Sequence, residues 1–299
     1  MKDSTYPLLH ITDLRPGDVC LMLGAGELSK LIAWIGDTIY SHAFLVYDER
    51  QLAEAALSGL RLYPLAERIA DTREALILDV YRPSDRAGNA LSPAQIKAMR
   101  DKTDEFLGRP YARNELAQMG IMAALRNKRA DSEPVRLLMR IALNHLLKDD
   151  PKHMVCSEFV YRIQQDAAVE PAGMIRPTIL VNPSAHLPLP KVDVPALWKE
   201  LKALFKPARA GRGSSSAANG SGTGSADPSL PPGVQEAFKA PTTTHQHLDE
   251  LIALVRAKHL PVAAPNNVLV VPDPNPKTIL PLDLAASPSL RFIGRLARP

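Results

Sequence analysis

Alternating and helically spaced apolar positions divide the first two thirds of the chain into short elements. LRPGDVCLML reads as a turn at Pro16, Gly17 and Asp18 that feeds a strand over Val19–Leu23. Leu28, Leu31, Ile32 and Ile35 then fall on one side of a short helix over Gly26–Ile35. SHAFLVY, Ser41–Tyr47, is a β-rich run, followed by a weaker strand over Leu52–Leu57, a third over Leu60–Tyr63 and a fourth opening at Ala75 in ALILDVYR. Helices follow over Pro93–Leu107, Asn114–Arg126 and Val135–Lys148, with another opening near Cys156 and running to Ala167. Strands first and helices afterward, without regular alternation, predict an α+β domain with an antiparallel sheet packed against helices.

Punctuation sets the boundaries. The Gly-, Ser- and Ala-rich stretch over residues 207–233 has almost nothing to bury, so it is expected to be a flexible linker after a first domain over residues 1–206. Residues 234–299 offer one helix over Thr244–His259, with Leu248, Leu251, Ile252 and Val255 at helical spacing, and a proline-rich tail that resists assignment.

Composition narrows the function classes. Of 299 residues 45% are hydrophobic, enough for a substantial core, and 36 basic residues against 32 acidic ones leave a net charge of only +4. No concentrated basic footprint for nucleic-acid phosphates follows from that balance, so no nucleic-acid partner is expected. Two cysteines, Cys20 and Cys156, are too few for a disulfide framework and are expected to be free thiols. No apolar run reaches signal-peptide or membrane-spanning length, so the expected location is cytoplasmic, or outside by a route without a cleaved signal. No zinc spacing, P-loop or dinucleotide fingerprint appears, the GAG of LMLGAGELSK being too short, and no cofactor or metal is expected.

Three residues suit nucleophilic catalysis. In KHMVCSEFVYRIQQ, Phe159, Val160 and Ile163 set a helical period and Cys156 lies at its start, where backbone amides and the helix dipole favour a thiolate. The segment alone leaves open a cysteine that merely packs under the helix. His42 is the preferred base, held in a strand alongside Phe44 and Val46, although a strand-end histidine bonded to backbone fits equally. His145 and His153 rank lower because they lie in a basic helix and its exit. With a loop at Tyr47, Asp48 and Glu49, His42 would oppose Glu54, whose carboxylate would then orient the imidazole; otherwise Glu54 is a surface charge.

LRPGDVCLM, SHAFLVY, AEAALSGLRLYPL, DEFLGRPYAR and VCSEFVYRI, in that order, resemble the circularly permuted papain-like cysteine hydrolases of the NlpC superfamily, especially the YiiX-type group. The resemblance covers Leu14 to Ala168. It implies a permuted papain-like fold, Cys156 as nucleophile, His42 as general base and later acid, Glu54 as orienting residue and Tyr111 as a substrate-binding residue in the pocket. Cys20 has no counterpart in that mechanism and is read as structural. The same resemblance suggests that ILPLDLAASPSLRFIGRL, from Ile279, returns to pack on the catalytic domain, a better likeness than VNPSAHLPLP from Val181.

Three functions remain open at this level. One is an amidase or peptidase acting on cell-wall peptides or another small amide. The second is a lipid-directed acyltransferase or phospholipase of the lecithin:retinol acyltransferase type, favoured by the helical stretch 114–148, where PVRLLMRIALNHLLK has basic residues among apolar ones and could touch a membrane surface, form a lid, or simply pack. The third is a papain-like shell kept only for binding.

Overall fold

The turn at Arg15–Asp18 closes on itself before the first long strand begins. The Asp18 carboxylate accepts from the Arg15 amide at 2.9 Å, and Gly17, at φ +92°, adopts the left-handed geometry that such a turn requires. In the computed structural model, which describes residues 6–56, 58–71, 75–112, 150–181, 193, 195–196, 199–200, 270–271 and 273–297, this turn delivers the chain into strand β2 (Val19–Gly24), buried at every position. A two-residue strand β1 (Leu8–Leu9) precedes it.

After β2 come helix α1 (Glu27–Ile35) and strands β3 (His42–Val46), β4 (Gln51–Ala56) and β5 (Gly59–Pro64). Helix α2 (Leu65–Ala70), strand β6 (Ala75–Pro83) and helix α3 (Pro93–Phe106) follow, the last started by a Ser92–Gln95 capping box with Pro93 at its first position. Helix α4 (Cys156–Asp166), helix α5 (Pro281–Ala285) and strand β7 (Leu290–Leu296) complete the strands and α-helices among the described residues, with short 3-10 turns at Ile11–Asp13 and Pro276–Thr278. The strands form one seven-stranded sheet in the order β1-β7-β6-β2-β3-β4-β5.

The architecture is α+β, and the sheet is mixed rather than wholly antiparallel. Strand β7 lies between β6, to which it is antiparallel, and β1, to which it is parallel. The tail that resists assignment from sequence thus supplies an interior strand, anchored by Arg295 on Asp79 through bonds of 2.7 and 3.1 Å. Helix α2 and strand β1 are also additions to the sequence reading. The helices expected over Asn114–Arg126, Val135–Lys148 and Thr244–His259, the linker at 207–233 and most of VNPSAHLPLP lie outside the described residues.

Period-two alternation sends side chains to two covered faces. Val19, Leu21, Ala43, Leu45, Ala53 and Ile77 join Met99 and Phe106 of α3 and Phe159, Val160 and Ile163 of α4. Cys20, Met22, Phe44, Val46, Leu52, Leu78 and Val80 face Leu65 and Ile69 of α2. At roughly 1.5–3 kcal/mol per fully buried large apolar side chain, each helix is fixed to its side of the sheet. No helix among the described residues is long and apolar enough to cross a membrane.

Candidate active site

The β3–β4 hairpin differs by two residues from the expected register. Asp48 accepts from the amides of Arg50, at 2.8 Å, and Gln51, at 2.7 Å, so its side chain pins the turn at Asp48–Arg50. Phe44 therefore opposes Glu54, and His42 does not. A shift of two keeps every side chain on its face, so His42 and Glu54 still share one side of the sheet and meet diagonally, with Nε2 3.2 Å from Oε2.

The same register frees a backbone donor. Val46 donates to Asp18 across β2, whereas Tyr47 donates to Gln51 across β4. Amides at 47, 45 and 43 thus point toward β4, but the pairing ends at Phe44↔Glu54 and leaves that of Ala43 unclaimed by the ladder. Helix α4 packs over β3 and β4 there, and its first residue brings its sulfur to the Ala43 amide.

Burial opposes ionisation of Cys156. The charge and hydrogen bond of the His42 imidazole outweigh it, helped by the amides of Ala43 and Ser157, and the thiol pKa is lowered. For His42, burial likewise disfavours the charged form, yet the Cys156 sulfur and then Glu54 raise its pKa from 6.5 to about 9. Each partner therefore favours the charged form of the other. Cys156 keeps 7% of its surface exposed and the His42 side chain 17%, so the centre opens to solvent mainly on the imidazole side.

Glu54 is wholly buried and held by two arginines the sequence reading did not single out. Arg61 donates to Oε1 from Nε at 3.0 Å and from Nη2 at 2.7 Å, while Arg68 on α2 reaches both oxygens at 2.8 and 2.9 Å. Burial would raise this carboxyl, but His42, Arg68 and Arg61 together lower it from 4.5 to about 2. Arg61 could have been found: the β4–β5 hairpin turns at Gly59, φ +109°, and places Arg61 directly opposite Glu54. Arg68 gives no such signal, since its helix spans six residues.

Tyr111 pairs by a single bridge with Met154, two residues before the cysteine. Its phenol is pushed well above 10 by burial, by Cys156 and by Glu158, so it stays protonated beside the sulfur. Cys20 is buried on the sheet face that also carries His42 and Glu54, away from the core packed under α4, and burial followed by Asp18 and Asp79 raises its pKa. His153 is half-exposed, 3.7 Å from Asp150, and is not among the groups acting on the sulfur; His145 lies outside the described residues.

The first turn of α4 is fastened from below by residues far along the chain. Ser157 Oγ donates to the Ile279 carbonyl at 2.7 Å, and buried Lys277 lies 3.4 Å from Glu158 and donates to the His153 carbonyl. Glu158 in turn accepts from Arg162 at 2.8 Å and from the Val155 amide at 3.3 Å. Burial still pushes its carboxyl upward despite both cations.

No group of three or more His, Cys, Asp or Glu side chains suited to a metal ion occurs among the described residues. No family model and no curated protein matches the chain. Among solved structures it is similar to the crystal structure of metalloprotein YiiX from Escherichia coli O157:H7, at 18% identity and a TM-score of 0.37, over 64% of this chain and 82% of that one.

Proposed function

We propose that the chain is a cysteine hydrolase of the permuted papain-like kind that cleaves a small amide, such as a cell-wall peptide, through Cys156, His42 and Glu54. One observation carries the reading: a helix-initial thiol close enough to an imidazole for each to favour the other's charged form, with the Nε2 of that imidazole 3.2 Å from a buried carboxylate. A binding shell has no use for a thiol lowered in this way while the second cysteine of the chain is raised.

The chemistry follows from the roles. The Cys156 thiolate attacks the carbonyl carbon and the electron pair moves to oxygen. First-turn amides of a helix have no intrahelical acceptor, and that of Cys156 has none among the described residues, which makes it a donor for the oxyanion. Collapse breaks the C–N bond as imidazolium gives its proton to the leaving amine, and a thioester remains. Neutral His42 then takes a proton from water, hydroxide adds to the thioester, and the acid leaves with the thiolate and imidazolium restored. Glu54, locked by both arginines, keeps the ring oriented through each proton transfer.

The test compares wild type with Cys156→Ala on peptidoglycan fragments, and on phospholipid vesicles in parallel. Amide cleavage lost in the variant supports the proposal. Fatty-acid release alone would move the reading to a lipid hydrolase or acyltransferase, and inactivity on both with slow, equal labelling of Cys20 and Cys156 would reduce the domain to a binding shell.

A further inference from the structure

We infer that a cleft of about 1060 Å³ between α3, α5 and the sheet is a binding site for a long-chain carboxylate, separate from the Cys156 centre. Its volume reaches the upper end of the range for small-molecule sites, roughly 300–1,000 Å³. Ile39, Leu91, Leu282 and Phe292 are among its apolar walls. Neither Cys156, His42 nor Glu54 lines it.

The floor and the wider lining have different chemistry, and the difference selects the ligand. At the floor the Tyr40 hydroxyl donates to buried Asp79 at 2.7 Å, and Tyr40 and Tyr81 share a bond of 3.0 Å. Tyr40 has one proton, already given to Asp79, so Tyr81 is the donor in the second bond. Burial raises the Tyr40 pKa and keeps that proton in place. The floor therefore offers no Tyr40 donor to an anionic or strongly polar group, and it suits an apolar tail.

Charge accumulates elsewhere around the cleft. Arg15, Arg82, Lys97, Arg100 and Arg291 all line it, against one acid, Asp18. Asp18 is taken by Arg82 at 2.8 Å, Lys97 by Asp101 at 2.7 Å, and Arg100 lies 4.8 Å over the Tyr47 ring. Arg15 and Arg291 are exposed and have no ion-pair partner among the described residues. A ligand with an apolar chain inward and one negative head at Arg15 and Arg291 satisfies both parts.

Titrating the full-length protein with a dansylated undecanoic acid tests this. Saturable binding of one probe per chain is expected, displaced by dodecanoate at least tenfold better than by dodecanol, and unchanged after Cys156 is alkylated. Leu91→Trp should abolish it by filling the cleft, and the surface pair Arg15→Glu with Arg291→Glu should weaken it tenfold or more, which decides the matter even if the tryptophan variant misfolds. Absence of saturable binding, equal displacement by the alcohol, full affinity in the charge-reversed protein, or binding confined to phosphatidylglycerol vesicles would overturn the inference. So would loss of binding on alkylation, which would merge the cleft with the catalytic centre.

Discussion

Removing the sulfur at position 156 should change how His42 titrates. In the wild type the imidazole rises from 6.5 to about 9, a gain of about 2.5, which at 1.36 kcal/mol each is on the order of 3 kcal/mol in favour of imidazolium. The two strongest upward influences both come from Cys156, with Glu54 behind them and burial opposing all. Cys156→Ala leaves Glu54 alone against burial, so the His42 pKa should fall by at least about one unit, a tenfold loss of proton affinity. Nitrogen-15 histidine spectra, with His42→Gln used to identify the resonance, read this directly. Iodoacetamide supplies the reciprocal measurement. Alkylation of wild-type Cys156 should level off at a lower pH than in His42→Gln, where burial of the thiol is no longer opposed by the imidazole and the rise moves upward. Because the two groups titrate as a pair, both profiles belong to the pair and must shift together. A His42 titration indifferent to the alanine, with alkylation rising over the same pH range in both proteins, would refute the reasoning.

Glu54→Gln should flatten acid unfolding: a carboxyl lowered from 4.5 to about 2 contributes stability that is full above 4.5 and lost as pH falls through 2, on the order of 3 kcal/mol, read as urea midpoints at pH 5 and pH 3. A wild type and variant with the same slope between those values would contradict the ion cluster. Lys277→Met strands the buried Glu158 with one cation fewer, and about 3 kcal/mol of destabilisation is expected in thermal unfolding, together with slower alkylation of Cys156. Cys20, buried and raised, should resist a thiol probe that labels Cys156 at pH 7. Protease nicking between positions 208 and 233 should leave the two fragments associated, because Leu290–Leu296 is held between β6 and β1; a freely dissociating carboxyl-terminal piece would contradict that pairing.

Local pattern carries local structure. Val19–Gly24, His42–Val46 and Pro93–Phe106 are legible because their apolar spacing and caps are contained within the element. Cys156 at the head of a helix is legible for the same reason. The hairpin register is off by two because the reading lacked one contact, the Asp48 carboxylate on two amides. The return of the segment from Ile279 is expected from the resemblance, but the strand character of β7 and the role of Lys277 escape notice for a different reason. LRFIGRL has no clean alternation, and its ladder partners are remote, as are the partners of Lys277 in α4. Arg68 falls between these cases: it is near Glu54 in sequence, but only tertiary folding of a six-residue helix directs it there.

The placement of β7 also dictates when the molecule can begin to work. Arg295 and its partner Asp79 stand 216 positions apart, and Ser157 waits for a carbonyl 122 positions later. While the ribosome is still translating the intervening codons, the nascent sheet ends at an open β6 edge, the kind of surface that invites aggregation and chaperone capture. Residues Cys156 and His42 will both have emerged by then, but without the late segment beneath its first turn the thiol-bearing helix lacks its support. Completion of the Cys156 site is thereby deferred until the late segment has been made.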